Sequence, residues 1–161
     1  MKKPALFALA PLAAAVVIAG CGGSGGSASQ SKAAASTAGG TTPTVKLASS
    51  KFGKILVDSH GRTLYDFVAD KTTMSTCYGA CASLWPPLTV SGAPKVGAGI
   101  RASLLGTTKR TDGTTEVTYN GHPLYYFAGD TKPGETTGQA INQFGAPWYV
   151  LTADGAEIHN G

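Results

Sequence analysis

The stretch Gly61-Arg62-Thr63-Leu64-Tyr65-Asp66-Phe67-Val68-Ala69-Asp70 returns as Gly121-His122-Pro123-Leu124-Tyr125-Tyr126-Phe127-Ala128-Gly129-Asp130, an offset of 60. Gly, Leu, Tyr, Phe and Asp coincide. Further on, Trp85, Leu88 and Thr89 match Trp148, Leu151 and Thr152 at an offset of 63, so the second copy carries a loop three residues longer. Self-similarity at a fixed period marks a duplicated structural unit, and here it organises the whole second part of the chain.

Each copy reads as antiparallel strands. In the second, Leu104 to Arg110 and Thr114 to Tyr119 flank Thr111-Asp112-Gly113, and Asn120-Gly121 turns the chain into Pro123 to Ala128. Asp-Gly and Asn-Gly supply the positive φ that tight hairpins require. In the first, Val45 to Lys51 and Ile55 to Asp58 precede a turn at Ser59-His60-Gly61 and a strand from Thr63 to Val68. Strand signals return at Leu88 to Val90 and at Trp148 to Thr152. No segment shows a helical period, although Ala98 to Leu105 has room for a turn or two. The expected fold is all-β, with two tandem, related four-stranded antiparallel units forming a small sandwich or barrel.

Alternation along a strand assigns the repeated side chains. Tyr65 and Phe67 share a face, as do Tyr125 and Phe127, while Asp66 and Tyr126 point the other way. The repeated face is expected to be core, and the face that differs between copies to be exposed. Asp70 and Asp130 follow their strands directly, where a carboxylate can accept backbone N–H bonds and fix the next loop.

The tandem Tyr-x-Phe-x-x-Asp elements, Cys77-Tyr78-Gly79-Ala80-Cys81 and Trp85-Pro86-Pro87-Leu88 together resemble the bacterial secreted-repeat lipoproteins. Several unrelated motifs occur in order, and the resemblance spans Val45 to Asp154. It implies an exported, often lipid-anchored domain whose activity is not established, and it carries over no catalytic residue.

The N-terminal part agrees. Residues 1–20 read as a secretory signal: Lys2 and Lys3 form the positive end, Ala5 to Ile18 an apolar stretch broken by Pro11, and Ala19-Gly20 a small-residue approach to Cys21. Ile18-Ala19-Gly20-Cys21 resembles the bacterial lipobox, with Ile where Leu is usual. That resemblance implies diacylglycerol, and then palmitate-type acylation, on Cys21. Two or three acyl chains hold a protein to a bilayer stably where one does not. Residues 22–44 are almost entirely Gly, Ser, Ala, Thr and Gln with a single charge, Lys32, a composition that cannot offset its ordering entropy. Such a tether spans roughly 25 Å root-mean-square. The expected organisation is thus a signal at 1–20, a lipidated Cys with linker at 21–44 and a duplicated β domain at 45–161. Its address is the cell membrane or outer membrane, facing the periplasm or the outside.

The chain has 13 Lys+Arg against 9 Asp+Glu, a net of +4. Losing Lys2 and Lys3 with the signal leaves 11 against 9, so half of that excess belongs to targeting. The longest basic run is Lys109-Arg110, which excludes a nucleic-acid footprint. The expected partners are the membrane, through the anchor, and an envelope or cell-wall ligand of unidentified kind.

Two readings of the remaining chemistry stand side by side. With Cys21 acylated, Cys77 and Cys81 are an even remainder in an oxidising compartment, and Gly79 lets their loop close as a disulfide. The rival is a copper-handling or electron-transfer accessory built on Cys77, Cys81, Met74 and His60, soft or borderline ligands close in sequence. Asp58-Ser59-His60 contains the residue types of a hydrolase triad, but neighbours on a strand point to opposite faces. Asp70 and Asp130 offer a symmetric carboxylate pair without the clustered acids of a calcium loop. Trp85 and Trp148 read as core or rim aromatics, with stacking on a sugar or peptide as the functional alternative. His122 and His159 have no evident partner. The expectation is a non-enzymatic envelope module without cofactor.

Overall fold

The computed structural model of the chain describes residues 42–160. The signal, Cys21 and nearly all of the linker lie outside the described residues.

The fold is all-β, built from nine short strands: β1 Thr44–Ser50, β2 Gly53–Asp58, β3 Tyr65–Phe67, β4 Lys95–Val96, β5 Leu105–Lys109, β6 Thr115–Tyr119, β7 His122–Pro123, β8 Asn142–Gln143 and β9 Ala146–Val150. They form three small sheets, ordered β2-β1-β4, β3-β9-β8 and β5-β6-β7, packed in sandwich fashion. Among the described residues they do not close into a barrel. β1 and β2 pair antiparallel from Val45–Asp58 to Ser50–Gly53, and β5 and β6 from Leu105–Tyr119 to Lys109–Thr115. The turn at Asn120-Gly121 has φ of 49° and 85°, the left-handed pair expected of a two-residue hairpin.

Three elements differ from the sequence reading. A five-residue helix, α1 (Ala80–Leu84), carries Cys81; it is too short to show a period. β4 pairs in parallel with the start of β1, while β8 pairs antiparallel with β9. The segments Thr63 to Val68 and Pro123 to Ala128 hold only short strands, because each is shared between sheets by single bridges, such as Val57–Thr63 and Tyr65–Tyr125.

The decisive feature is that the copies exchange their last strands. Leu88, at the end of the first copy, donates its N–H to Leu124 and accepts from Val117, both in the second. The second copy's Leu151 in turn accepts from Leu56, while β9 pairs with β3 through Tyr65–Val150 and Phe67–Trp148. At the centre Tyr65 and Tyr125 exchange both backbone hydrogen bonds, at 2.8 and 2.9 Å, which places a local pseudo-two-fold axis between them.

The core follows this symmetry. Trp85 and Trp148, both fully buried, stack at 4.0 Å. Phe67 stacks on Trp148 at 4.0 Å and Phe127 packs on Trp85 at 4.4 Å, so the column alternates residues of the two copies. Tyr65 and Tyr125 meet the tryptophans edge-on, the favoured aromatic arrangement. Gly138 lies hard against the column: a Cβ there would come within 2.8 Å of Trp85. A second apolar cluster, including Leu56, Leu64, Leu88, Val117, Leu124 and Leu151, fills the other side of the exchanged strands.

Candidate functional site

The two motif carboxylates tie the copies together. Asp70 Oδ1 accepts from the N–H and hydroxyl of Thr76, at 2.7 and 2.6 Å, and Asp130 Oδ1 accepts likewise from Thr137, at 2.9 and 2.6 Å. Each therefore fixes its own loop. The other oxygen reaches across: Tyr65 of the first copy donates to Asp130, and Tyr125 of the second to Asp70, both at 2.6 Å. Burial, then the carboxylates, push both phenol pKa values above their ordinary range. The repeated Tyr and Asp are thus a reciprocal pair of cross-links.

Cys77 and Cys81 form a disulfide with Cα atoms 5.2 Å apart, and both are buried in the cluster around Trp85. The sulfurs are spent on each other. Met74 is 55% exposed and His60 sits in an exposed turn, so neither joins them in a common buried pocket. Asp58 accepts the backbone N–H groups of His60 and Arg62 and a charged bond from the Arg62 guanidinium at 2.9 Å. Burial raises its pKa, but the bonds from Arg62 outweigh that and hold it below the ordinary value. This carboxylate organises a turn.

Arg110 and Glu116 form a further buried knot at 2.8 Å, with Arg110 also donating to Ser75 and to the Cys77 carbonyl. Complete burial pushes the Glu116 carboxyl up to about 7, against the pull of Arg110.

Strand alternation predicts an exposed face for Asp66, but its relative exposure is 0%. The C-terminal segment causes the burial. It returns along β9 through a Leu151–Glu157 bridge and an Ile158-to-Val150 hydrogen bond, covering the face that a lone sheet would leave to water. Among the described residues neither oxygen of Asp66 has a hydrogen-bond partner. His122 Nδ1 faces Oδ2 at 3.4 Å, with its side chain 29% exposed. Glu157 completes a trio whose ligand-type atoms all lie within 4.8 Å of one another. His159, exposed in the tail, nonetheless places Nε2 3.2 Å from Glu157 and packs its ring against Tyr149.

Burial and then the charge of Glu157 raise the Asp66 pKa, to about 6, while His122 pulls it down. The Asp66 carboxylate in turn holds His122 above its usual value. A buried carboxylate without donors is costly, and such groups cluster at functional sites. The sequence supplied one clue: an acid placed between two core aromatics of a strand, where the other copy has Tyr126.

That other copy offers an internal reference. At the repeat offset, Arg62 corresponds to His122 and Tyr126 to Asp66. There the Arg62 guanidinium lies 3.9 Å over the Tyr126 ring, whose hydroxyl donates to Asp58 at 3.1 Å. Among the described residues no buried side-chain polar atom of that corner lacks a partner. Its counterpart at Asp66 holds two carboxylates and an imidazole, with no Lys or Arg paired to them among the described residues.

The model of a secreted repeat of unknown function matches the chain twice, over residues 46–89 and 106–152, which are the two copies defined above. No curated protein and no solved structure matches the chain. Among the described residues no helix is long and apolar enough to cross a membrane.

Proposed function

The chain belongs to the family of secreted repeats of unknown function, and from that premise we propose that it is a non-catalytic binding module of the cell envelope that captures a cationic ligand at the Asp66–His122–Glu157 corner. The tether at 22–44 and acylated Cys21 display it at a membrane surface. One observation carries the reading: a wholly buried carboxylate faces a half-buried imidazole and a second carboxylate, with neither of its oxygens hydrogen-bonded among the described residues. The other buried acids have work inside the fold. Asp70 and Asp130 link the copies, Asp58 holds a turn, and Glu116 pairs with Arg110. A ligand bringing positive charge would satisfy Asp66 as Arg62 satisfies Asp58, with His122 and Glu157 exposed enough to admit it.

Melting of the detergent-purified full chain tests this against Mg2+, Ca2+, Zn2+ and putrescine. A ligand that binds only the folded state raises the midpoint as its concentration passes Kd. The expected result is a saturable rise with at least one of these cations that vanishes in Asp66→Asn. No saturable rise with any of them, or a rise unchanged in Asp66→Asn, overturns the reading.

A further inference from the structure

We infer that the cation held by Asp66, His122 and Glu157 is a divalent transition metal of the zinc class, with His159 as the fourth ligand. This rests on the cation-binding reading and names its ligand.

The donor set decides the class. Mg2+ and Ca2+ take oxygen ligands almost entirely, whereas imidazole nitrogen with carboxylate oxygen suits zinc and its first-row neighbours. An organic ammonium would need a cage of acceptors or aromatic faces, and the corner offers an imidazole edge instead. Distances agree. Tetrahedral zinc with bonds of about 2.0–2.1 Å holds its ligand atoms about 3.3 Å apart. The Asp66–His122 separation is 3.4 Å and the Glu157–His159 separation 3.2 Å. The trio falls within 4.8 Å as it stands, and His159 stands beside its Glu157 member. The sulfurs of Cys77 and Cys81 take no part, which separates this site from a thiolate copper site.

The repeat explains why only one corner is built this way. One corner, where Arg62 of the first copy meets Tyr126 of the second, is closed by a permanent guanidinium. Exchanging Arg62 for His122 and Tyr126 for Asp66 removes that fixed cation and adds two ligands. Glu157 and His159 come from the tail beyond the second repeat, where the first copy has only the connection into β4.

Equilibrium dialysis of the detergent-purified full chain against Zn2+, with the bound metal measured directly, tests the inference. One Zn2+ per chain is expected, with affinity falling at least about a hundredfold in Asp66→Asn and in His122→Gln, and about tenfold in His159→Ala. His60→Gln, at the exposed turn, should leave binding unchanged. Asp66→Asn removes an unpartnered charge and keeps the side-chain shape, so it should fold as well as the parent; circular dichroism checks each variant. Co2+ in place of Zn2+ should give the visible absorption of a four-coordinate site. Absence of Zn2+ binding overturns the inference, as does binding indifferent to both Asp66→Asn and His122→Gln. Asp66-dependent binding of Ca2+ or putrescine without Zn2+ also overturns it, yet leaves the cation-binding reading standing. If none of the cations binds, both fall.

Discussion

Two corners of this molecule descend from the same place in the repeat, and they have been finished differently. At one, Arg62 lies over Tyr126 and Asp58 accepts from both, so charge and hydrogen bonds are matched inside the fold. At the other, His122, Asp66 and Glu157 meet with more acceptors than donors. The backbone around them is nearly superposable in its pattern: Leu64 donates to Leu56 as Leu124 donates to Val117. The difference therefore lies in side chains laid on a shared frame. Duplication gives a protein two equivalent corners, one that can satisfy structure and one in which a polar imbalance can be kept.

The comparison can be broken most severely at what the corners share. Trp85→Ala and Trp148→Ala each remove a fully buried ring from one column, and each should cost about 3–5 kcal/mol in denaturant unfolding. Near-equal costs would support the pseudo-symmetry, and a large inequality would limit it to the backbone.

The cross-links come next. Tyr65→Phe and Tyr125→Phe each strip a carboxylate of its hydroxyl donor, leaving the threonine pair in place. Each should lower stability by about 1–3 kcal/mol. Because the links are reciprocal, either loss should loosen both loops in amide hydrogen exchange.

A third asymmetry is tested by pH. Glu116 is buried at a β6 position whose first-copy counterpart is Ile55. Its folded pKa, about 7, lies above the ordinary 4.5. A carboxyl with a raised folded value stabilises the fold when protonated. That contribution is complete below about 4.5 and is lost as pH climbs through 7. Wild-type stability should therefore fall by roughly 1–3 kcal/mol between pH 5 and pH 8, and Glu116→Gln should flatten part of that slope. A profile rising over the same interval would contradict the assignment.

Remaking the open corner in the image of the closed one gives a smaller change. His122→Arg supplies Asp66 with a fixed cation and should raise the melting midpoint, by about 1 kcal/mol in stability, while abolishing Zn2+ binding. A variant that kept its metal would show that the site lies elsewhere.

The smallest effect is at Phe144, with φ of 57° and 47% exposure, which occupies the turn between β8 and β9 followed by Gly145 at 93°. Asn tolerates that conformation and Phe does not favour it. Phe144→Asn should add about 0.5 kcal/mol, bringing this hairpin into line with Asn120-Gly121.

Much of this was legible in the chain itself. The offset of Tyr65, Phe67 and Asp70 against Tyr125, Phe127 and Asp130 carried the duplication, the all-β class and the secreted-repeat kinship. What stayed hidden follows from how repeats encode structure. A repeat records which residues are equivalent but not which copy they pack against, so the exchange of Leu88 and Leu151 between halves has no local signature. Asp66 was misplaced for a related reason. Strand alternation assumes that the second face meets water, and here a tail some ninety residues away covers it. α1 was missed because five residues make barely one turn, and β4 because two residues carry no alternation.

The exchange of last strands also governs when this chain can fold. A polypeptide emerges N-terminus first, and the first copy's Tyr65 meets its first strand partner only at Tyr125, while Phe67 waits for Trp148 in β9. Until Trp148 arrives the aromatic column lacks the ring that joins Phe67 to Trp85, so the two ends of the column are not yet connected. Completion of both halves consequently waits for β9. The duplicated domain therefore closes as one unit, not one copy after the other.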